Sequence, residues 1–251
     1  MSVTAMNRVK AALIHLAASA LVVAAILAVV YFVWYPGATF SIAGAISVVL
    51  VLVGVDLVLG PSLTLLVFKP GKPGLKFDLT AIAVIQVIAL AYGSYTLYIE
   101  RPYYLVYAVD RFSLVPESPI DKSRLRFEEL REKPVRDVIR VFARLPDDPA
   151  ERARFNESVL FDGEPDLDGR PEYWEPYASG IDFIRTRIRP LEGFEPATAA
   201  ERAAVEAARR RYGGQHEHLG FVPIATLDAD IAMLMDRDTA EPLGMLRVDP
   251  W

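Results

Sequence analysis

Three apolar runs crowd the first hundred residues, and nothing else in the chain constrains its fold as strongly. Ala11 to Trp34 is apolar except for His15, Ser19 and Tyr31. At 1.5 Å per residue it spans about 36 Å, enough to cross a hydrocarbon core of about 30 Å. That length argues against a cleaved signal peptide, whose apolar core is about 7–15 residues. No small-residue cleavage site follows, since the exit reads YFVWYPG. Phe40 to Phe68 is a second run, interrupted by Asp56 and Pro61, and Leu79 to Ile99 is a third. The expected architecture is membrane α-helical. Three transmembrane helices at 11–34, 40–68 and 79–99 form a bundle over residues 1–100.

Charge divides the chain at the same place. Residues 1–99 hold five cations and two acids, whereas residues 100–251 hold 22 cations and 30 acids. The acidic half has no net field to collect phosphates, which argues against nucleic acid as a partner. Arg8 and Lys10 precede the first run, and Lys69, Lys72 and Lys76 lie between the second and third. By the positive-inside rule the amino terminus and that lysine-rich loop face the cytoplasm, and everything after Ile99 lies outside. Aromatic clusters end the first run (Tyr31, Phe32, Trp34, Tyr35) and the third (Tyr92, Tyr95, Tyr98) at the expected outer interface.

From Arg101 the pattern becomes that of a water-soluble domain. YYLVYAVDRFSLV alternates, with Tyr103, Leu105, Tyr107 and Val109 on one side, and reads as a strand or hairpin. Asp147 or Asp148 before Pro149 starts a short helix to about Leu160. A second helix runs from Thr198 to Tyr212, closed by Gly213 and Gly214. Three strand-like runs end the chain, with Arg237 to Pro242 as a hairpin loop. Residues 101–251 are therefore expected to form a small periplasmic α+β domain with an antiparallel sheet.

Asp56 is the sharpest single residue. A carboxylate inside a span costs about 2.5–3.5 kcal/mol on insertion scales and points to function by default. Asp56, Gly60 and Thr64 share one helical face at four-residue spacing. Pro61 cannot donate to the carbonyl of Leu57, so a kink is expected just beside the acid. Counted from the inner boundary, Tyr92 stands at matching depth in the third span. Two readings are open: a protonated Asp56 bonded to Tyr92 or a backbone carbonyl as an internal strut, or an acid facing a partner. Ala20, Ala24 and Ala28 recur at four-residue spacing and allow close helix approach, within the bundle first and toward a foreign helix second.

Elsewhere the chemistry is thin. The chain has no cysteine and three histidines, which excludes thiolate nucleophiles, thiolate zinc sites and disulfides. Glu164, Asp166, Asp168, Gly169, Glu172 and Glu175 fall near the spacing of a calcium loop. Pro165 and Pro171 disrupt that match, so an acidic surface turn is the better reading. Asp228, Asp230, Asp236 and Asp238 read as solvation at hairpin ends, and His216 and His218 as a weak H-x-H pair. No metal, cofactor or catalytic residues are expected. An enzyme would instead need a compact cleft with acids and histidines in hydrogen-bond reach. A membrane-anchored enzyme modifying pilin or envelope glycans is the alternative that such a cleft would favour.

Three stretches carry a resemblance: WYPGATF, GVDLVLGPSLTLLVFKPGKPGLKFDL and AYGSYTLYIERPYYLVYAVDRF. They resemble the TfpX/TfpZ family of type IV pilin accessory proteins over residues 8–115, with MLMDRDTAEPLGMLRVDPW fitting more loosely. The resemblance implies an inner-membrane protein that supports the major pilin before or during fibre assembly. It implies no enzymatic activity and no cofactor. It supplies no binding residues, so Asp56, Gly60, Pro61, Thr64, Tyr92 and the three alanines rest on the physics above. The expected partners are a type IV major pilin subunit and the lipid bilayer.

Overall fold

The computed structural model describes residues 7–35, 39–134, 137–226 and 230–251. The chain divides into two compact units, Met1–Arg101 and Pro102–Trp251.

The first unit contains three helices long and apolar enough to cross a membrane: α1 (Arg8–Trp34), α2 (Ala45–Val67) and α3 (Leu75–Ile99). Helix α1 starts where the Asn7 side chain accepts a hydrogen bond from the Lys10 amide at 2.8 Å. The second helix begins five residues later than its apolar run. Gly44 adopts φ of 70°, a left-handed conformation that interrupts the helix after a single turn at Thr39–Ile42. The third begins four residues earlier than expected, after Gly74 at φ of 81°. Its first turn carries Lys76 and Asp78, which hydropathy excluded from the run; Lys76 has good helix propensity, and Asp78 is favoured at a helix N-terminus by the dipole. Asp78 pairs with Lys72 at 2.7 Å.

Beside Asp56, where a kink was expected, the structure has a π-helical stretch, Gly54–Leu59, in the middle of α2. The Gly60 amide donates to Val55 O, five residues back, and Pro61 opens the next α segment without needing a donor. At the other end of the bundle, Tyr35 is fully buried and donates to Leu97 O at 2.8 Å. Trp34 and Tyr98 pack edge-to-face at 5.4 Å. Tyr35 therefore ties α1 to α3 internally, where the sequence suggested an interfacial ring.

The second unit is built on one sheet: β1 (Pro102–Ala108), β2 (Arg111–Pro116), β3 (Ile139–Ala143), β4 (Trp174–Pro176), β5 (Arg189–Pro190), β6 (Leu219–Ala225), β7 (Ala232–Asp236) and β8 (Pro242–Leu246). The strand order is β4-β3-β1-β2-β6-β7-β8, with β5 paired to β6. The sheet is mixed, which corrects the expectation of a purely antiparallel one. β3 joins β1 in parallel, and β6 joins β2 in parallel through Phe112–Ile224 and Ser113–Ala225. The β1–β2 hairpin occupies the centre, so both its outer edges are filled by strands arriving after long crossovers, and such connections permit parallel pairing. This central position also buries β1 on both faces, beyond the one face that its alternation suggested.

Two apolar clusters of the unit lie among the described residues. Tyr104, Val106, Val141, Phe155 and Trp174 belong to one, with Trp174 Nε1 donating to Leu167 O at 3.1 Å. Leu191, Val205, Phe221 and Leu234 belong to the other. Helix α4 (Pro149–Phe161) is capped by Asp148, and α6 (Ala199–Tyr212) by a reciprocal Thr198–Glu201 capping box. Between them α5 (Ile181–Arg185) is a short turn of helix. The terminal hairpin pairs β7 with β8 around residues 237–241.

Candidate functional site

The polar residues of the bundle converge at mid-height. Asp56 is 4% exposed and Gln86, on α3, is 8% exposed. Gln86 Nε2 donates to Asp56 Oδ1 at 3.1 Å. Gly60 is what allows this approach: a Cβ there would stand 2.1 Å from Gln86 Nε2. One turn further, Thr64 is buried with its Oγ1 2.6 Å from His15 Nδ1 of α1. Asp56, Gly60, Pro61 and Thr64 thus lie on the buried face of α2, and through Gln86 and His15 that face touches both neighbouring helices.

Tyr92 does not partner Asp56; its side chain is 73% exposed. The register explains the difference. Eleven residues separate Asp56 from Val67, and eleven separate Leu75 from Gln86. Counting depth from Leu79 instead of Leu75 shifts the expected partner by about one turn toward Tyr92. Sequence reasoning missed Gln86, although it stands out as the single carboxamide inside the third run. Ala20, Ala24 and Ala28 are exposed, on the side of α1 away from α2 and α3, so they do not pack the bundle internally as first read.

Two acceptors at this site lack a hydrogen-bond partner among the described residues: Asp56 Oδ2 and Gln86 Oε1. Both residues line a groove of 290 Å³ between α1 and α3, with His15, Ser19, Val22 and Val87. A second groove of 310 Å³, between α2 and α3, has Asp56 and Tyr92 in its lining.

The second unit holds a cleft that the sequence did not lead us to expect. It measures 510 Å³ and is lined by Glu192, Arg209, His216, Glu217, His218 and Arg237 among others. His216 Nδ1 lies 2.6 Å from Asp236 Oδ2, and His218 Nδ1 lies 3.0 Å from Asp238 Oδ2. Asp236 and Asp238 are therefore histidine partners, not merely solvated hairpin ends; Asp230 is exposed, and Asp228 lies outside the described residues. Asp236 Oδ1 also accepts from the Asp238 and Thr239 amides at 2.7 and 3.0 Å, closing the β7–β8 turn. Burial pushes the Asp236 carboxyl up, but the hydrogen bonds from Thr239, His216 and Asp238 together hold it below the ordinary value. The bond from His218 to Asp238 raises the imidazole above its ordinary value. The cleft lining includes no Ser, Thr or Cys among the described residues.

The acidic stretch at 164–175 is neutralised by arginines. Arg170 reaches Glu172 at 2.8 Å and Glu164 at 3.7 Å, and Arg144 reaches Glu175 at 3.1 Å. Asp166 caps a short turn through the Leu167 amide. Glu164, Glu172 and Glu175 thus face cations, and no cluster of three or more potential metal ligands occurs among the described residues.

Taken together, a unit of three helices long and apolar enough to cross a membrane, with a polar mid-section, precedes a mixed-sheet α+β unit, which suggests a membrane-associated protein with a globular domain. Comparison with known proteins narrows the class. The chain matches the family described as Fimbrial assembly protein FimB over residues 4–37. The fimbrial assembly protein of serogroups C1 and C2 of Dichelobacter nodosus is 33% identical over 110 residues, covering 43% of this chain and 83% of its own length. The serogroup E1 protein of that organism is 29% identical over 219 residues, covering 85% of this chain and 84% of its own. The chain belongs to the fimbrial assembly protein family. No solved structure matches it.

Proposed function

We propose that this protein is a non-catalytic accessory to a type IV major pilin, acting at the inner membrane to support pilin stability or pilus assembly. A role in fimbrial assembly is supported by relatives of that name that align across 219 residues and both units. The narrower TfpX/TfpZ assignment agrees with this role. The carrying observation from the geometry is the buried Asp56–Gln86 pair, whose desolvation in an apolar bundle is costly unless the acid serves a contact. On this reading α1, α2 and α3 span the membrane with the amino terminus in the cytoplasm. Residues 101–251 then form a periplasmic domain that discriminates among pilin globular domains.

The test is a clean deletion. Surface pili of the cognate pilin should fall while the assembly machinery stays intact. Unchanged piliation would refute the accessory role. Reporter fusions after Lys72 and after Trp251 should report cytoplasm and periplasm respectively; a cytoplasmic signal from the second reverses the topology. Swapping residues 101–251 for those of a relative serving another pilin should switch the pilin supported. If selectivity stays with residues 1–100, the bundle reads the partner.

The cleft at His216 and His218 favours a second reading, a membrane-anchored enzyme acting on pilin or envelope glycans. The two readings part at His216→Ala, which should leave pilin modification and piliation unchanged if the pair is structural. Loss of a pilin modification with normal protein abundance would establish the enzyme instead.

A further inference from the structure

The mid-bundle site is chemically one-sided. Gln86 spends one N–H on Asp56 Oδ1 at 3.1 Å and directs Nε2 also toward Asp56 O at 3.5 Å, so the side-chain atoms left without a partner among the described residues are two oxygens, Asp56 Oδ2 and Gln86 Oε1. Both side chains are more than nine-tenths buried, and both line the groove between α1 and α3. Buried acceptors without a donor are expensive, most of all where lipid, not water, surrounds the protein. The rest of the groove is largely apolar, with Ala18, Val22, Val23 and Leu90 in its walls; of its other polar side chains, His15 is engaged by Thr64 at 2.6 Å and Ser19 lies on α1. Its shape and its polarity therefore ask for an apolar object carrying a hydrogen-bond donor at one height.

Depth restricts what that object is. Asp56 lies eleven residues inside the Val67 end of α2, about 16 Å along the helix. A lipid acyl chain reaches this height but offers no donor. A lipid headgroup offers donors but stays at the interface. A transmembrane helix supplies both the apolar surface and a donor at mid-membrane.

We propose that the α1–α3 groove receives the membrane helix of a fimbrial subunit, and that a side-chain N–H or O–H of that helix donates to Asp56 and Gln86. This rests on the reading of the protein as a pilin accessory. It adds where the subunit docks and the polarity of the contact. Gly60 serves by letting Gln86 sit over α2 with its oxygen left available.

The natural absence of cysteine makes the test clean. Single cysteines replace Val22 and Val87 in the groove and Ala24 on the outward face of α1, each carrying a thiol-linked photocrosslinker. Membranes come from cells expressing the cognate pilin, and adducts are read with antibodies to both proteins. Val22→Cys and Val87→Cys should yield a chain–pilin adduct, and Ala24→Cys about tenfold less. Asp56→Asn, introduced beside Val22→Cys, allows a closed reciprocal amide pair with Gln86 and turns the groove's spare acceptor into a donor. It should lower the adduct about tenfold at unchanged protein abundance. If abundance falls, Val87→Trp decides, because it fills the groove mouth without touching the Asp56–Gln86 pair, and it too should abolish the adduct. An unchanged adduct in these variants, an Ala24 adduct as strong as the groove's, or a groove adduct with a second copy of this chain would overturn the inference. A pilin adduct from the 102–251 unit alone would overturn the inference and leave the accessory role standing. No pilin adduct from any position in either unit would overturn both.

Discussion

Asp236 and Asp56 are buried to a similar degree, 6% and 4% exposed, and comparing them separates the two units of this chain. Asp236 uses both oxygens: one accepts from two turn amides and the other meets His216. Asp56 uses one oxygen and leaves the other without a partner among the described residues. The first carboxylate completes a local structure, and its burial is offset by the bonds it receives. The second is held half-satisfied among apolar helices, where an open acceptor costs most. A buried acid in the domain thus indicates a finished turn, whereas a buried acid in the bundle indicates an unfinished contact.

The same contrast governs stability, and four measurements bear on it. The domain should depend chiefly on its apolar core. Trp174→Ala removes a fully buried ring and its bond to Leu167 O, and should cost about 3–5 kcal/mol. Urea unfolding followed by proteolysis of residues 102–251 measures this, and a loss under about 1 kcal/mol would mean the core is not what holds the domain.

The bundle should depend on close fit at one point. Gly60→Leu drives a side chain into the space of Gln86 and should cost about 1–3 kcal/mol, seen as lower abundance and a lower melting temperature in detergent. Indifference to this change would mean that Gln86 does not sit over Gly60.

The two acids themselves should respond unequally. Asp236→Ala strands the Asp238 and Thr239 amides and should destabilise by about 1–2 kcal/mol. Asp56→Asn should shift stability by no more than about 0.5 kcal/mol, since an amide keeps the bond from Gln86. Equal effects in thermal melts would erase the distinction drawn here.

The smallest effect is a pH dependence confined to the domain. His218 is raised above 6.5 by Asp238, so this exposed pair stabilises the fold below that pH, and its contribution disappears as pH climbs through the raised value. Asp236 works in the opposite direction. Its carboxyl is held below 3.8, so its contribution persists above that value and is lost as acid drives pH through the lowered one. Melting curves should therefore show slightly greater stability at pH 6 than at pH 8. Asp238→Asn should flatten that difference, and a persisting slope would assign it elsewhere.

Much of the candidate site was legible at the level of residue type. An acid in an apolar run, a glycine and a threonine on its face, and a proline just beyond it marked α2 as the helix to watch. The partner was not legible, because pairing across helices depends on depth. Depth depends on where each helix begins, and left-handed glycines at 44 and 74 moved two of those beginnings. The outward position of Ala20, Ala24 and Ala28 was equally hidden, since small residues pack well on either side of a helix. In the domain, β3 was overlooked although Val138 to Ala143 is a compact β-prone run. Two helices were legible within residues 116–215, but their arrangement was not, because packing partners are not written in a local pattern.

Taken alone, the sequence determined the quantities that add along the chain. Apolar length produced three long helices, capping residues started α4 and α6, and charge separated two units of different character. These follow from local chemistry and need no neighbour. Tertiary structure alone decided the quantities that require two segments at once. Parallel pairing arose when later strands filled both edges of the β1–β2 hairpin. The His216–Asp236 pair formed because antiparallel pairing of β6 with β7 sets Leu219 opposite Asp236 and so brings residues twenty apart into contact. Gln86 met Asp56 because Gly60 has no side chain and the π-helical stretch precedes Pro61. Each of these is set by distance in space, which a linear pattern does not encode until the backbone has closed on itself.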